Sequence, residues 1–277
     1  MLDDVTYTDR ESTLSLATLA ELTPRTLVLD LLAVARGTSM PAPALATGGE
    51  IMGFKRGAIR VATSRLAAQN LIESPRRGHW QLVEQVPWAQ EQARWQNLDA
   101  LLVPWTGRWW VIVTHRVSRS NRSLWRHHER ALWQRGFSEA ERDVFVRPAN
   151  ITASFEGLWE QLVNLGMDTN SVMLDAAELS LQPKPDLWAS RQRHRLLQEV
   201  LAEMQALIAN PGDESEEQRC AHFLRIGRAA ARILNTDPLL PEDWTGPSPR
   251  RDVAALMPRF IEAGSDLWFR YLGIKAD

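Results

Sequence analysis

Between Thr23 and Gln69 the apolar residues recur at helical spacing. Thr23-Pro24 predicts a helix start, with Thr as cap and Pro in the first turn. Leu27, Leu31 and Val34 follow at one face as far as about Ala35, and Gly37 ends the segment. Ser39-Met40-Pro41 opens the next element, a helix over Pro43–Met52 that Gly48-Gly49 weakens. Gly53-Phe54 turns the chain into a third helix, Lys55–Gln69. On it Ile59, Ala62, Leu66 and Gln69 share one side with Ala58 at the edge, the stripe that docks a helix on a core. Arg56, Arg60 and Ser64 share the other side, with Gly57, Val61 and Ala68 beside them. Leu71-Ile72-Glu73 and His79–Val83 then read as two short strands joined by Ser74-Pro75-Arg76-Arg77-Gly78.

Residues 86–104 read as a connector, with a short helix over Gln90–Leu101 that turns Trp95 and Leu98 inward. Beyond it the pattern alternates. Trp109–Val113 is aromatic and β-branched and predicts a strand. Arg119–Arg135 predicts a helix with Leu124, His128, Ala131 and Leu132 inward, and Arg122, Arg126, Glu129, Arg130 and Trp133 outward. Val144-Phe145-Val146, a helix over Phe155–Leu165 and Val172-Met173-Leu174 complete a β-α-β-α-β order, a ferredoxin-like arrangement short of one strand. From Trp188 the chain is helical. Leu196, Leu197, Val200, Met204, Leu207 and Ile208 mark one helix, Phe223, Ile226, Ala230 and Ile233 a second, and Asp252–Leu272 a third containing Pro258. Asp237–Trp244 reads as a rigid loop.

Charge changes the picture. The net charge of the 277-residue chain is only −2. Yet Gly53–His79 holds six Lys/Arg against the single acid Glu73, and His115–Arg135 holds six Arg against Glu129. Two cationic patches on an acidic body point to anionic partners. A helix with a basic outer face followed by a basic hairpin is the pattern of a winged helix-turn-helix, whose helix enters the major groove while the wing touches phosphates. The alternative at each patch is a solvated cationic face.

The remaining chemistry is sparse. No run approaches the ~20 apolar residues of a membrane span, and the acidic start (Asp3, Asp4) lacks a signal-like apolar segment, so the cytoplasm is expected. The lone Cys220 excludes an internal disulfide. His127-His128-Glu129 has the residue types of a metal site, but adjacent histidines on a helix diverge by about 100°. Thr114-His115 ends the first central strand where a metal-dependent nuclease would place an acid. No phosphate-binding glycine loop and no G-x-S-x-G occur. Neither enzyme activity, a metal nor a cofactor is expected.

Four stretches carry a family resemblance. They are Gly53-Phe54 with its helix and hairpin, Trp105-Thr106-Gly107-Arg108-Trp109, Leu132-Trp133-Gln134-Arg135-Gly136-Phe137, and Asp237-Pro238-Leu239-Leu240-Pro241 with Asp243-Trp244. In this order they resemble the PaaX family of bacterial repressors, named for control of phenylacetic acid degradation. The departures are a proline after the first wing strand and no tyrosine in the second. The resemblance implies a dimeric cytoplasmic repressor of an aromatic-compound catabolic operon. It would bind a palindromic double-stranded operator and be released by a small effector such as an aryl-CoA thioester.

The expected fold is α+β. It comprises an N-terminal arm (1–22), a winged helix-turn-helix domain (23–85), the connector (86–104), a ferredoxin-like α/β domain (105–180) and a helical C-terminal domain (181–277). Arg60 and Ser64 are expected at base edges, with Arg56 on the same face and Thr63 at its edge. Lys55, Arg76 and Arg77 would neutralise phosphates. Arg65 lies on the flank, where a surface salt bridge is an equal reading. Arg122, Arg126 and Arg130, spaced by four, with Trp133 nearby, would hold a CoA-type effector by charge and stacking; an equal reading is that this helix meets the acidic C-terminal domain or the DNA backbone. Trp109 and Trp110 alternate on a strand, so one is expected in the core and the other, taken as Trp110, lining the effector pocket. A different class of function stays open: a non-enzymatic interaction module whose basic surfaces meet acidic partners.

Overall fold

The computed structural model describes residues 14–83, 91, 93–209 and 212–274. Residues 1–13 of the expected arm, 84–85 at the end of the expected winged-helix domain, and 86–90 and 92 of the connector lie outside them. The fold is α+β, with two antiparallel sheets among the described residues. In chain order the elements are α1 (Leu16–Ala20), α2 (Pro24–Val34), β1 (Met40–Pro41), α3 (Ala42–Ile51), α4 (Arg56–Ala68), β2 (Ile72–Glu73) and β3 (His79–Leu82). Next come β4 (Trp109–Val113), α5 (Arg122–Gln134), β5 (Ser138–Glu141), β6 (Val144–Pro148), α6 (Phe155–Asn164) and β7 (Val172–Ala176). The chain ends with α7 (Ser190–Ala209), α8 (Glu216–Asn235), α9 (Glu242–Thr245) and α10 (Arg250–Leu272).

The chain divides into two compact units. Among the described residues, one gathers those of 15–93, 196–232 and 252–274; the other gathers Leu14, 94–195 and 233–251. The residues expected to form a helical C-terminal domain over 181–277 are therefore shared between the two. Periodicity locates helices but not the surfaces they bury against.

In the first unit α2, α3 and α4 surround Leu27, Leu31, Leu45, Ile59 and Leu66, each at most 2% exposed. Thr23 caps α2 in a reciprocal box with Thr26, and Pro24 stands at the first helical position. β3 lies between β1 and β2, and Met40 pairs with Trp80 and Ile72 with Leu82. Helix α3 runs unbroken through Gly48-Gly49, and the glycines are a packing device. A Cβ on Gly48 would stand 2.8 Å from Leu31 Cδ1 and 3.4 Å from Trp268 of α10, and one on Gly49 would overlap Ile59 of α4. Ser265 of α10 donates to the Val34 carbonyl at 2.8 Å. Arg228 of α8 reaches the Glu21 carbonyl and Asp30 of α2, both at 2.7 Å, and Arg232 donates to the Thr18 carbonyl at 2.8 Å. Burial pushes the Asp30 carboxyl up to about 6 against the pull of Arg228 and Arg232.

In the second unit the order is β-α-β-β-α-β, and the strands stand in the sheet as β5-β6-β4-β7, every pair antiparallel. The strand missing from the sequence reading is β5. Its composition, Ser138-Glu139-Ala140-Glu141, has no apolar alternation, as suits an edge strand that must not recruit a partner. It turns into β6 through Arg142 and Asp143, where Asp143 takes φ 65° in place of a glycine. Helix α5 begins at Arg122 because Asn121 caps it, accepting from the amides of Ser123 and Leu124. Leu124, expected inward, is 62% exposed in that first turn. Trp95 and Leu98 are buried as expected, Trp95 within a short 3₁₀ turn, Arg94–Asn97, and Leu98 between it and a second, Asp99–Leu101.

One face of this sheet carries Trp109, Val111 and Val146, closed over by Trp188 and Leu240 with Trp105 and Trp244 alongside. Trp105 meets Trp244 edge-on at 4.7 Å and Trp109 at 5.4 Å. The other face carries Trp110 opposite Arg147 on the neighbouring strand. Asp237–Trp244, expected as a loop throughout, contains the short helix α9.

Candidate nucleic-acid interface

Helix α4 is two-sided for a sequence reason. Ile59, Ala62, Thr63 and Leu66 are buried, while Arg56, Gly57, Arg60, Val61, Ser64, Arg65 and Ala68 are exposed. Arg60 and Ser64 lie one turn apart on that outer face, with Val61, 47% exposed, beside them. Gly57 and Ala68 leave it low, which lets the helix axis approach a partner closely. Lys55 is exposed at the N-cap. Arg76 and Arg77 are exposed at the tip of the β2–β3 hairpin. There Ser74 Oγ donates to the Arg76 carbonyl at 2.8 Å, and Gly78 takes φ +77° to close the turn.

Two residues of the expected set stand differently. Thr63 is 6% exposed and its hydroxyl donates to the Ile59 carbonyl at 2.9 Å. It lies on the packed side of α4 and drops out of the contact set. Gln69, expected on the packed side, is exposed and accepts from Arg25 of α2. Arg56 is exposed but engaged: Glu50, at the end of α3, takes its Nε at 2.7 Å and its Nη2 at 2.9 Å. This two-pronged pair holds the Glu50 carboxyl below its ordinary range and the Arg56 guanidinium above its own. Glu50 escapes a sequence reading because the Arg56 partnership crosses the turn between two helices, where helical spacing carries no signal.

The residues expected to hold an effector sit in the other unit. Arg122 and Arg130 are exposed and Arg126 is half-buried along one side of α5. Trp133 is half-buried, with the Arg193 guanidinium 5.3 Å from its ring centroid. Trp110 does not belong with them. It is 6% exposed, against Arg147, whose guanidinium carbon stands 5.7 Å from its ring centroid. Arg147 is fully buried and donates to the carbonyls of Arg135 and Pro148 and to Asn150 Oδ1. Burial, with Arg94 and Arg135 nearby, brings its guanidinium down to about 9. Asn150 in turn donates to the Leu239 carbonyl at 2.6 Å. Trp110 is thus one wall of a buried polar staple.

His128 has a structural task too. It is 1% exposed and its Nδ1 accepts from the Asp168 amide at 3.0 Å. Burial pushes its imidazole down to about 4, opposed by Asp168 and reinforced by Arg119. His127, next to it, points to solvent and contacts the Ser123 carbonyl. Among the described residues no group of three or more His, Cys, Asp or Glu is placed to hold a metal ion. No helix of the described residues is long and apolar enough to cross a membrane.

No protein-family model matches the chain, and no curated protein matches it. Among solved structures it is similar to the uncharacterized protein Rv0674 from Mycobacterium tuberculosis, at 19% identity and a TM-score of 0.59, over 92% of this chain and 100% of that one. The two share a fold.

Proposed function

We propose that this chain is a PaaX-like DNA-binding transcriptional regulator, a cytoplasmic homodimeric repressor of an aromatic-compound catabolic operon. The carrying observation is the outer face of α4, where Arg60 and Ser64 stand exposed over a buried Ile59/Ala62/Leu66 side, with Arg76 and Arg77 on the adjoining hairpin. The order of α2, α3 and α4 followed by the β2–β3 hairpin supports a winged helix-turn-helix reading. The β-α-β-β-α-β order of the second supports a ferredoxin-like domain. Arg60 reads a base edge, Ser64 a base or a phosphate, and Lys55, Arg76, Arg77 and Arg65 neutralise phosphates. The Arg122/Arg126/Arg130 side of α5, with Trp133, takes the phosphates and ring of a small effector such as an aryl-CoA thioester, which releases the operator. No residue of these sets is assigned a catalytic step.

The test is binding of the full chain to duplexes from upstream of its own gene, followed by fluorescence anisotropy across a salt series. Sequence-dependent binding with a steep salt slope supports the proposal. Release by an aryl-CoA thioester, lost in Arg126→Ala, supports the effector assignment. Binding indifferent to sequence at every salt concentration overturns it and favours a module whose cationic faces meet acidic proteins.

A further inference from the structure

We infer that Glu50 restrains the α4 face, holding Arg56 back from phosphate and so limiting the grip on DNA of any sequence. The inference rests on the DNA-binding reading above. Glu50 and Arg56 are both well exposed, their side chains 48% and 61% accessible. An ion pair between two solvent-exposed side chains is screened by water and salt and is a weak prop for the fold.

The geometry bears on recognition instead. Glu50 takes the Nε and Nη2 hydrogens of Arg56 together. That edge of the guanidinium is one with which arginine forks onto a phosphate or a guanine. While the pair stands, Arg56 cannot offer it to DNA. A phosphate that claims Arg56 must displace the carboxylate, exchanging one anion for another and leaving Glu50 close to the duplex. Either way the entrance to α4 contributes less than its two cations, Lys55 and Arg56, would alone. That loss is common to binding through phosphates only and to binding that also gains base contacts from Arg60 and Ser64, a turn or more further along the helix. Glu50 therefore lowers affinity and salt dependence on every duplex, while the ratio of specific to non-specific affinity is set by Arg60 and Ser64.

The experiment uses full-length wild type, Glu50→Gln, Glu50→Ala and Arg60→Ala. Each is titrated by anisotropy into a random-sequence duplex pool and into the tightest duplex that wild type selects from that pool, between about 50 and 200 mM salt. The expected result is that both Glu50 variants bind the random pool about 3- to 10-fold tighter, with the log–log salt slope steeper by about 0.9 for one more phosphate neutralised. Their fold preference for the selected duplex stays close to that of wild type. Unchanged affinity and slope on the random pool, or weaker binding, overturns the inference and leaves the pair structural. Arg60→Ala separates the two failures. If wild type prefers the selected duplex and Arg60→Ala loses that preference while the Glu50 variants bind the random pool as wild type does, the Glu50 role alone is wrong. If wild type selects no duplex, the DNA reading fails and the Glu50 role falls with it.

Discussion

Gly136 lies so close to Pro238 that a Cβ on it would stand 2.8 Å from the Pro238 carbonyl oxygen and 3.0 Å from its Cα. Gly136 also takes φ +76°. Trp188 donates its indole N–H to the Gly136 carbonyl at 2.9 Å, which ties the same turn to the tryptophan cluster. Gly136→Ala thus meets both a backbone penalty and a clash with backbone that cannot move aside. Summing left-handed strain and overpacking, it should destabilise by about 2–4 kcal/mol. Denaturant titration of the variant measures this; a loss under about 0.5 kcal/mol would show that the turn is free to relax.

Gly49 makes a second close approach, in the other unit. Its missing side chain lets α3 rest on Ile59 of α4, and Gly49→Ala should cost about 1–3 kcal/mol. Truncating the opposing side chain restores the room, so Ile59→Ala should cost less in the Gly49→Ala background than in wild type. A double-mutant cycle of thermal melts reads this coupling; strict additivity would contradict the contact.

Thr63 and Arg60 should part company. Thr63→Val keeps the volume of a buried side chain whose hydroxyl only reaches back to Ile59, so DNA affinity should stay within about twofold of wild type. Arg60→Ala should cost about 1–3 kcal/mol at a specific operator and relax preference at one base pair. Equal losses from both would return Thr63 to the interface.

Two buried groups give stability opposite pH slopes. His128 is depressed to about 4 in the fold, so the unfolded chain takes up a proton below its ordinary 6.5 while the folded chain does not. Its contribution is complete above about 6.5 and is lost as pH falls towards 4. Asp30 is raised to about 6 from 3.8, so the fold holds a proton that the unfolded chain releases. Its contribution is complete below about 3.8 and is lost as pH rises to 6. Each amounts to roughly 2–3 kcal/mol across its window. Relative to wild type, His128→Asn should flatten the acid limb of a stability–pH curve, and Asp30→Asn should steepen it. Unchanged curves in both would contradict the burial of these groups.

Much of this was readable from residue order. The cap at Thr23, the apolar stripe of α4 and the aromatic strand β4 obey local rules, and the elements stand where those rules put them. Strand β5 escaped because Glu139 and Glu141 need no apolar face at a sheet edge. Gly48-Gly49 reads as a helix breaker because its reason lies in Leu31, Ile59 and Trp268, from 17 residues before the pair to 219 after it. Trp110 and Thr63 look available on a strand and a helix edge, and only tertiary burial removes them. The three tryptophan- and proline-rich stretches that carry the family resemblance beyond α4 converge on one packed cluster, Trp105, Trp109, Gly136, Trp188, Pro238 and Trp244. They are legible as motifs because they hold a fold together. The residues that would touch a ligand carry no such signature.

The central claim is that the α4 face reads DNA, and anisotropy of wild type and Arg60→Ala on a wild-type-selected duplex, across a salt series, tests it. Wild type should bind tightly and weaken by orders of magnitude between about 50 and 200 mM salt, and Arg60→Ala should lose roughly 5- to 150-fold with little change on random duplex. Indistinguishable binding of the two proteins to every duplex would contradict it.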